Sequence, residues 1–314
     1  MPRALPQLMG TPTDHVEDAA AVRAAAAALG LPGIVDVHTH FMPRNVLDKV
    51  WAYFDAAGPL VGRRWPIRYR HDEDERVAQL RDFGVLAFTS MLYPHRAGMA
   101  EWLNAWAAEF AARTPDCLHT ATFFPEAGAR DYVARAIDEG ARVFKAHVQV
   151  GGYDPTDPLL DPVWDLLAEA GVPTVIHCGS GPAPGRFTGP EPIRRVLARH
   201  PRLPLIIAHM GMPEYSEFLD IAVGHEHVHL DTTMAFTPFV DEMMPMDPAT
   251  VARLPDLGDR ILFGSDFPNI PHSYVVAVES VLGLGHGADW NRAVLHDNAV
   301  RVFALAPLGR AEGS

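Results

Sequence analysis

Pro173-Thr174-Val175-Ile176-His177 is a short apolar run that ends on a histidine. It follows Glu169-Ala170-Gly171-Val172, the kind of exit that ends a helix before a strand. Lys145 lies 32 residues upstream of His177 at the end of Arg142-Val143-Phe144-Lys145-Ala146-His147, and His209 lies 32 residues downstream, closing Leu205-Ile206-Ile207-Ala208-His209. Thirty-two residues is the length of one strand-plus-helix unit, so the three polar residues recur at equivalent levels of one repeating architecture.

The same alternation extends in both directions. Candidate strands are Ile34–His38, Val85–Met91, Leu118–Phe124, Ala141–Val148, Pro173–His177, Leu203–His209, Val228–Thr232 and Arg260–Ser265, with amphipathic stretches such as Met99–Arg113, Ala129–Glu139 and Glu191–His200 between them. Eight such units predict a (β/α)8 TIM barrel, an α/β fold. An open doubly wound sheet fits less well, because no Gly-x-Gly-x-x-Gly follows the first strand. Residues 1–32 read as an N-terminal helical extension, alanine-rich from Asp14 to Leu29 and stopped by Gly30 and Pro32. Residues 33–314 read as a single barrel domain. The stretch 41–84, with Trp51, Tyr53, Phe54 and Trp65, is an insertion after strand one, and its charged run 70–76 opens the first outer helix.

With 26 Lys+Arg against 39 Asp+Glu, the net charge of −13 disfavours nucleic acid and anionic membranes as partners. Two cysteines without a CxxC suit a reducing cytoplasm. The first residues lack an apolar core of signal-peptide type, and no run is long enough for a spanning helix. A cytoplasmic enzyme acting on a small molecule is expected. Barrels of this kind often pair, which makes a homodimer the expected assembly.

Active sites of such barrels lie at the C-terminal ends of the strands. His38 and His40, in Asp36-Val37-His38-Thr39-His40, share one face of strand one about 7 Å apart. Lys145 and His147 end strand four, His177 strand five and His209 strand six, and Asp266 follows strand eight. Two imidazoles on one strand face suit a transition-metal ion. Asp266 alone would also serve as a turn or helix cap; only convergence lifts these residues above ordinary buried polar groups. His225 and His227 precede strand seven at the wrong end of the barrel, whereas Asp231 and Thr232 lie at the mouth. Arg186, in the Gly/Pro-rich loop 179–189, is a candidate substrate-binding clamp for a carboxylate.

The chain resembles the amidohydrolase superfamily, in the amidohydrolase-2 branch of metal-dependent hydrolases that includes aminocarboxymuconate-semialdehyde decarboxylase-like enzymes. The resemblance rests on Asp36-Val37-His38-Thr39-His40, Phe144-Lys145-Ala146-His147, Val175-Ile176-His177, Ile207-Ala208-His209-Met210-Gly211, Leu262-Phe263-Gly264-Ser265-Asp266-Phe267-Pro268 and Asp297-Asn298-Ala299-Val300-Arg301-Val302-Phe303. It implies His38, His40, His177 and Asp266 as ligands of one divalent metal, Zn²⁺ being the expected ion with Mn²⁺ and Fe²⁺ as alternatives. His209 and Asp266 would be catalytic. Such an ion lowers the pKa of a bound water to about 7, and Asp266 beside it can take the water's proton.

Lys145 is open between a metal-bridging carbamate, a cationic substrate contact and a carboxylate partner. His147 is open between substrate contact and support of a ligand. The activity implied is hydrolysis of a small amide, lactone or ester by metal-activated water. The alternative is a lyase: non-oxidative decarboxylation of a small aromatic or unsaturated carboxylic acid on the same site.

Overall fold

The computed structural model describes residues 15–306. Nine strand segments alternate with helices: β1 (Ile34–Asp36), β2 (Val85–Thr89), β3 (Cys117–Leu118), β4 (Thr120–Thr122), β5 (Val143–His147), β6 (Thr174–His177), β7 (Leu205–Ile207), β8 (Val228–Asp231) and β9 (Ile261–Leu262). All pairings are parallel, in the orders β1-β2-β3 and β4-β5-β6-β7-β8-β9. The expected third strand is therefore in two pieces, β3 and β4, broken at His119. Thr120 explains the break: its hydroxyl donates to Leu118 O (3.0 Å) and accepts from Ser90 N (3.0 Å), taking the place of a ladder bond. Beyond the ends of β1 and β9, Val37 N donates to Phe263 O (3.0 Å) and Asp266 N to His38 O (2.9 Å), joining the last strand to the first. The fold is a (β/α)8 barrel.

Alternation along each strand separates two apolar layers. Phe144, Ala146, Ile176, Leu205, Ile207, Val228 and Leu230 face outward into the helices, whereas Val143, Val175, Ile206 and Leu262 fill the barrel floor with Ala299 and Phe303. The helices answer with matching stripes: Pro190–Arg199 buries Pro192, Ile193, Val196 and Leu197, a helical i, i+3, i+4 pattern. Above the floor the inward positions become polar. Lys145 pairs in register with Val175, and His147 with His177, so His177 stands level with His147, one inward position above Lys145 and not at its level.

Within the extension expected over residues 1–32, His15–Ala28 is a helix, and residues 1–14 lie outside the described residues. The insertion after β1 contains the helix Arg44–Ala56 and the outer helix Glu73–Asp82, whose N-cap is Asp72 accepting from Glu75 N. The insertion is held over the mouth by Asn269: Trp51 Nε1 donates to its side chain (3.2 Å) and Trp65 Nε1 to its carbonyl (2.7 Å). Among the described residues no helix is long and apolar enough to cross a membrane.

Candidate metal centre

Three strand ends turn sharply to present their side chains. β1 stops at Asp36 and the chain bends at Val37, so His38 and His40 lie just beyond the strand and not on it. His209 (φ 55°) and Asp266 (φ 75°) adopt left-handed backbone, which is costly for non-glycine residues and is held here by surrounding bonds. His209 N donates to Asp231 Oδ1 (2.8 Å), and Asn269 N donates to Asp266 O (2.8 Å). Gly264 is needed beside them, since a Cβ there would lie 2.1 Å from Thr233 Oγ1 and 2.8 Å from His38 Cβ.

One ligand atom each from His38, His40 and Asp266 lies within 4.8 Å of the others, and all three residues are buried. The hydrogen bonds of these imidazoles set their proton positions. His40 Nδ1 lies 2.6 Å from Met91 O, so it carries the proton, and its Nε2 lone pair then faces Asp266 Oδ1 at 2.8 Å. A neutral imidazole cannot satisfy both oxygens. His38 Nδ1 donates to Asp231 Oδ2 (2.9 Å), which leaves its Nε2 lone pair 3.7 Å from Asp266 Oδ1. Lone pairs from two nitrogens and a carboxylate thus converge, and the Lys145 ammonium, 3.1 Å from His38 Nε2, is the proton donor beside them. That donor set fits a divalent ion.

Lys145, fully buried, supplies the positive charge next to these atoms: its Nζ is 3.1 Å from His38 Nε2. Burial lowers its pKa to about 8 against the opposing pull of Asp231 and Asp266. Burial and then Lys145 hold His38 well below the ordinary imidazole value. Burial would raise Asp266, but the close approach of His40, with His209 and His38 around it, outweighs that and keeps the carboxyl well below its usual range.

His209 completes the inner end. Its Nδ1 lies 3.1 Å from Thr233 O, so Nε2 is its basic nitrogen, and its ring is 5.0 Å from that of His38. Burial lowers its pKa to about 4. His177 lies beside this group with its ring 4.7 Å from His209, but its Nε2 is engaged with Gly181 O at 3.0 Å and it stands outside the His38–His40–Asp266 trio. Its ring stacks on His147 at 4.1 Å, a consequence of their shared register. His147 Nδ1 accepts from Val150 N (3.3 Å), leaving Nε2–H as its donor.

These side chains sit at the base of a cavity of about 830 Å³. Its walls are apolar and aromatic, with Tyr53, Phe54 and Trp65 from the insertion, and Tyr93 and Trp102 from the β2 side. Among its described lining residues Asp266 is the sole carboxylate, while Lys49 and Arg96 sit exposed at the rim without an ion pair among the described residues. Arg186 is elsewhere: it is exposed, stands 5.0 Å over the Phe187 ring and does not line the cavity. Cys178 packs into the outer apolar layer.

The residue most underrated by sequence is Asp231, wholly buried at the end of β8, which ties His38 Nδ1 to the His209 backbone. Its signal was positional only: it occupies the strand-seven mouth position between His209 and Asp266.

An Amidohydrolase family model matches residues 35–305. No curated protein matches the chain. Among solved structures, an uncharacterised TIM-barrel protein from Bordetella bronchiseptica is similar over 87% of this chain and 98% of its own (TM-score 0.70, 21% identity). A manganese-bound 5-carboxyvanillate decarboxylase from Novosphingobium aromaticivorans is similar over 88% and 99% (TM-score 0.60, 15% identity). A candidate 2-pyrone-4,6-dicarboxylic acid hydrolase from Pseudomonas putida is similar over 87% and 97% (TM-score 0.56, 18% identity). These likenesses concern the barrel, and with the match that runs from β1 to beyond the last helix they place the chain in the amidohydrolase family, the amidohydrolase-2 group of TIM-barrel enzymes.

Proposed function

We propose that the protein is a metal-dependent hydrolase whose substrate is a small amide, lactone or ester. The observation that carries this reading is the convergence of the His38, His40 and Asp266 lone pairs beside a second base, His209 Nε2, at the closed end of an apolar cavity. His38, His40 and Asp266 would hold the ion, and His177, whose ring neighbours His209, would add a ligand if its Nε2 left Gly181 O. Zn²⁺ suits two or three imidazoles with one carboxylate; Mn²⁺ and Fe²⁺ are the alternatives. When bound, a divalent ion polarises a carbonyl oxygen and acidifies water.

The chain's own residues supply the rest. Asp266 accepts a proton from the attacking water, and its carboxylate is the form present at neutral pH. His209 Nε2 accepts or relays a proton at the reacting oxygen. His147 offers its Nε2–H to a substrate oxygen, and Lys145 neutralises negative charge developing near His38. The aromatic walls exclude bulk water, while Lys49 and Arg96 draw an anionic substrate toward the mouth.

Those rim cations also favour a second reading, decarboxylation of an aromatic or unsaturated acid, and the likeness to a decarboxylase supports it. The two part on one measurement. Incubation in ¹⁸O-water with a panel of lactones, esters, amides and aryl acids should place label in the product if hydrolysis occurs. Release of CO₂ without label would sink the hydrolase. Metal content of the purified protein, with and without His38→Ala, tests the centre itself.

A further inference from the structure

The helix His15–Ala28 precedes the barrel, yet one of its side chains is bonded into the frame that carries the metal trio. Asp18 is 1% exposed. Its Oδ2 accepts from Tyr69 OH (2.8 Å) and Tyr274 N (3.1 Å), and its Oδ1 from Val275 N (3.0 Å). Tyr274 and Val275 open the helix Tyr274–Leu282, whose own N-cap residue, Ser273, makes no side-chain cap bond. Asp18 therefore caps this helix from a distance of 256 residues in sequence, accepting from Val275 N and sharing Tyr274 N with the Tyr69 hydroxyl (2.8 Å), which itself donates to Asp18.

The capped residue reaches the site. The Tyr274 ring stacks on Phe83 (4.5 Å, 8° between planes), and its hydroxyl donates to Asp36 Oδ2 at 2.7 Å. Asp36 also receives Ser265 Oγ (2.6 Å), Ser265 N (3.1 Å) and His38 N (3.1 Å). One buried carboxylate thus gathers the segment bearing His38 and the segment bearing Asp266, and the Tyr274 hydroxyl is its link to the outer layer. Without that donor Asp36 would lose one of the bonds that hold it, and buried carboxylates depend on such bonds.

Resting on the metal-centre reading above, we propose that Asp18 and Tyr274 are positioning residues for that centre. Asp18 fixes the start of the Tyr274–Leu282 helix, this sets the Tyr274 hydroxyl on Asp36, and Asp36 sets the spacing of His38 and Asp266. The N-terminal helix is then a working part of the site although it touches no substrate.

The test is Zn²⁺ affinity of the full chain, measured by competition with a chromophoric chelator, alongside urea unfolding of the metal-free protein. Tyr274→Phe keeps the stacked ring and removes only the hydroxyl. Asp18→Asn keeps one acceptor, and Asp18→Ala none. His200→Ala serves as a control, since it removes a histidine bonded to Asp161 and Asp165 of the outer helix Asp161–Ala170. Tyr274→Phe and Asp18→Ala should weaken Zn²⁺ binding about 10-fold or more, with Asp18→Asn between them and wild type. His200→Ala should lower stability and leave affinity unchanged.

Wild-type affinity in Tyr274→Phe and Asp18→Asn, with only stability reduced, would overturn the proposal. Should Asp18→Ala fail to fold, Tyr274→Phe decides. Stoichiometric Zn²⁺ in the wild type that is lost in His38→Ala establishes the centre independently of this outcome. A folded wild type that binds none removes both readings together.

Discussion

Asp231 Oδ2 lies 2.9 Å from His38 Nδ1 inside the barrel, with neither side chain exposed. This contact decides which nitrogen of His38 faces the site. With Nδ1–H donated to the carboxylate, Nε2 is left as the lone pair, and the negative charge behind the ring makes that lone pair more basic. The other oxygen of Asp231 accepts from His209 N and Thr233 N, so the same carboxylate also orients the proposed base.

Asp231→Asn preserves shape and removes the charge. Metal affinity should fall roughly 10- to 100-fold while the protein still folds. Chelator competition at fixed pH measures it. An unchanged affinity would show that the His38 tautomer does not depend on this contact.

Gly264→Ala tests how tightly the segment that follows β9 passes behind the site. The added methyl would meet Thr233 Oγ1 and the His38 Cβ, both on buried, bonded residues that have little room to yield. Overpacking of this kind costs about 1–3 kcal/mol, so a lower midpoint in urea and weakened metal binding are expected together. A variant as stable as wild type with full metal content would contradict the packing described.

Acid sensitivity should arise in part at the barrel floor. His229 points inward from β8, and burial lowers its pKa to about 4 from an ordinary 6.5. The unfolded chain then binds a proton that the folded chain does not. The stability contribution is complete above pH 6.5 and is lost as pH falls toward 4, by up to about 3 kcal/mol. Urea unfolding of metal-free protein at pH 7.5, 6 and 5 should show this slope, and His229→Gln should flatten it.

Lys49 and Arg96 lie at the rim of the cavity, and Arg186 lies away from it. For the anionic aromatic probe 1-naphthoate, the Lys49→Met/Arg96→Met double variant should slow association several-fold and reduce its dependence on ionic strength. Arg186→Ala should leave association unchanged. Stopped-flow fluorescence at two salt concentrations distinguishes these outcomes, and equal salt dependence in wild type and double variant would remove the rim cations from substrate capture.

Much of this protein was legible before any tertiary structure. The 32-residue spacing of Lys145, His177 and His209 specifies barrel units, because strand, helix and two short connections consume about that length each time. Strand alternation specifies that Val143, Lys145 and His147 face inward together. Local chemistry likewise identifies the His38–His40 pair and the turn at Asp266. What sequence could not determine is which groups meet across the barrel.

Asp231 bonds His38 over 193 residues and Asp18 bonds Tyr274 over 256, and neither aspartate has a local pattern that distinguishes it from a cap or a surface acid. The Nε2 of His177 is directed at Gly181 O, and the Arg186 guanidinium lies on Phe187, through contacts set by loop conformation and not by strand phase. Periodicity along a chain reports which face a side chain takes. Hydrogen-bond partners, proton positions and the convergence of lone pairs depend on distances between segments that only the closed barrel brings to a few ångströms.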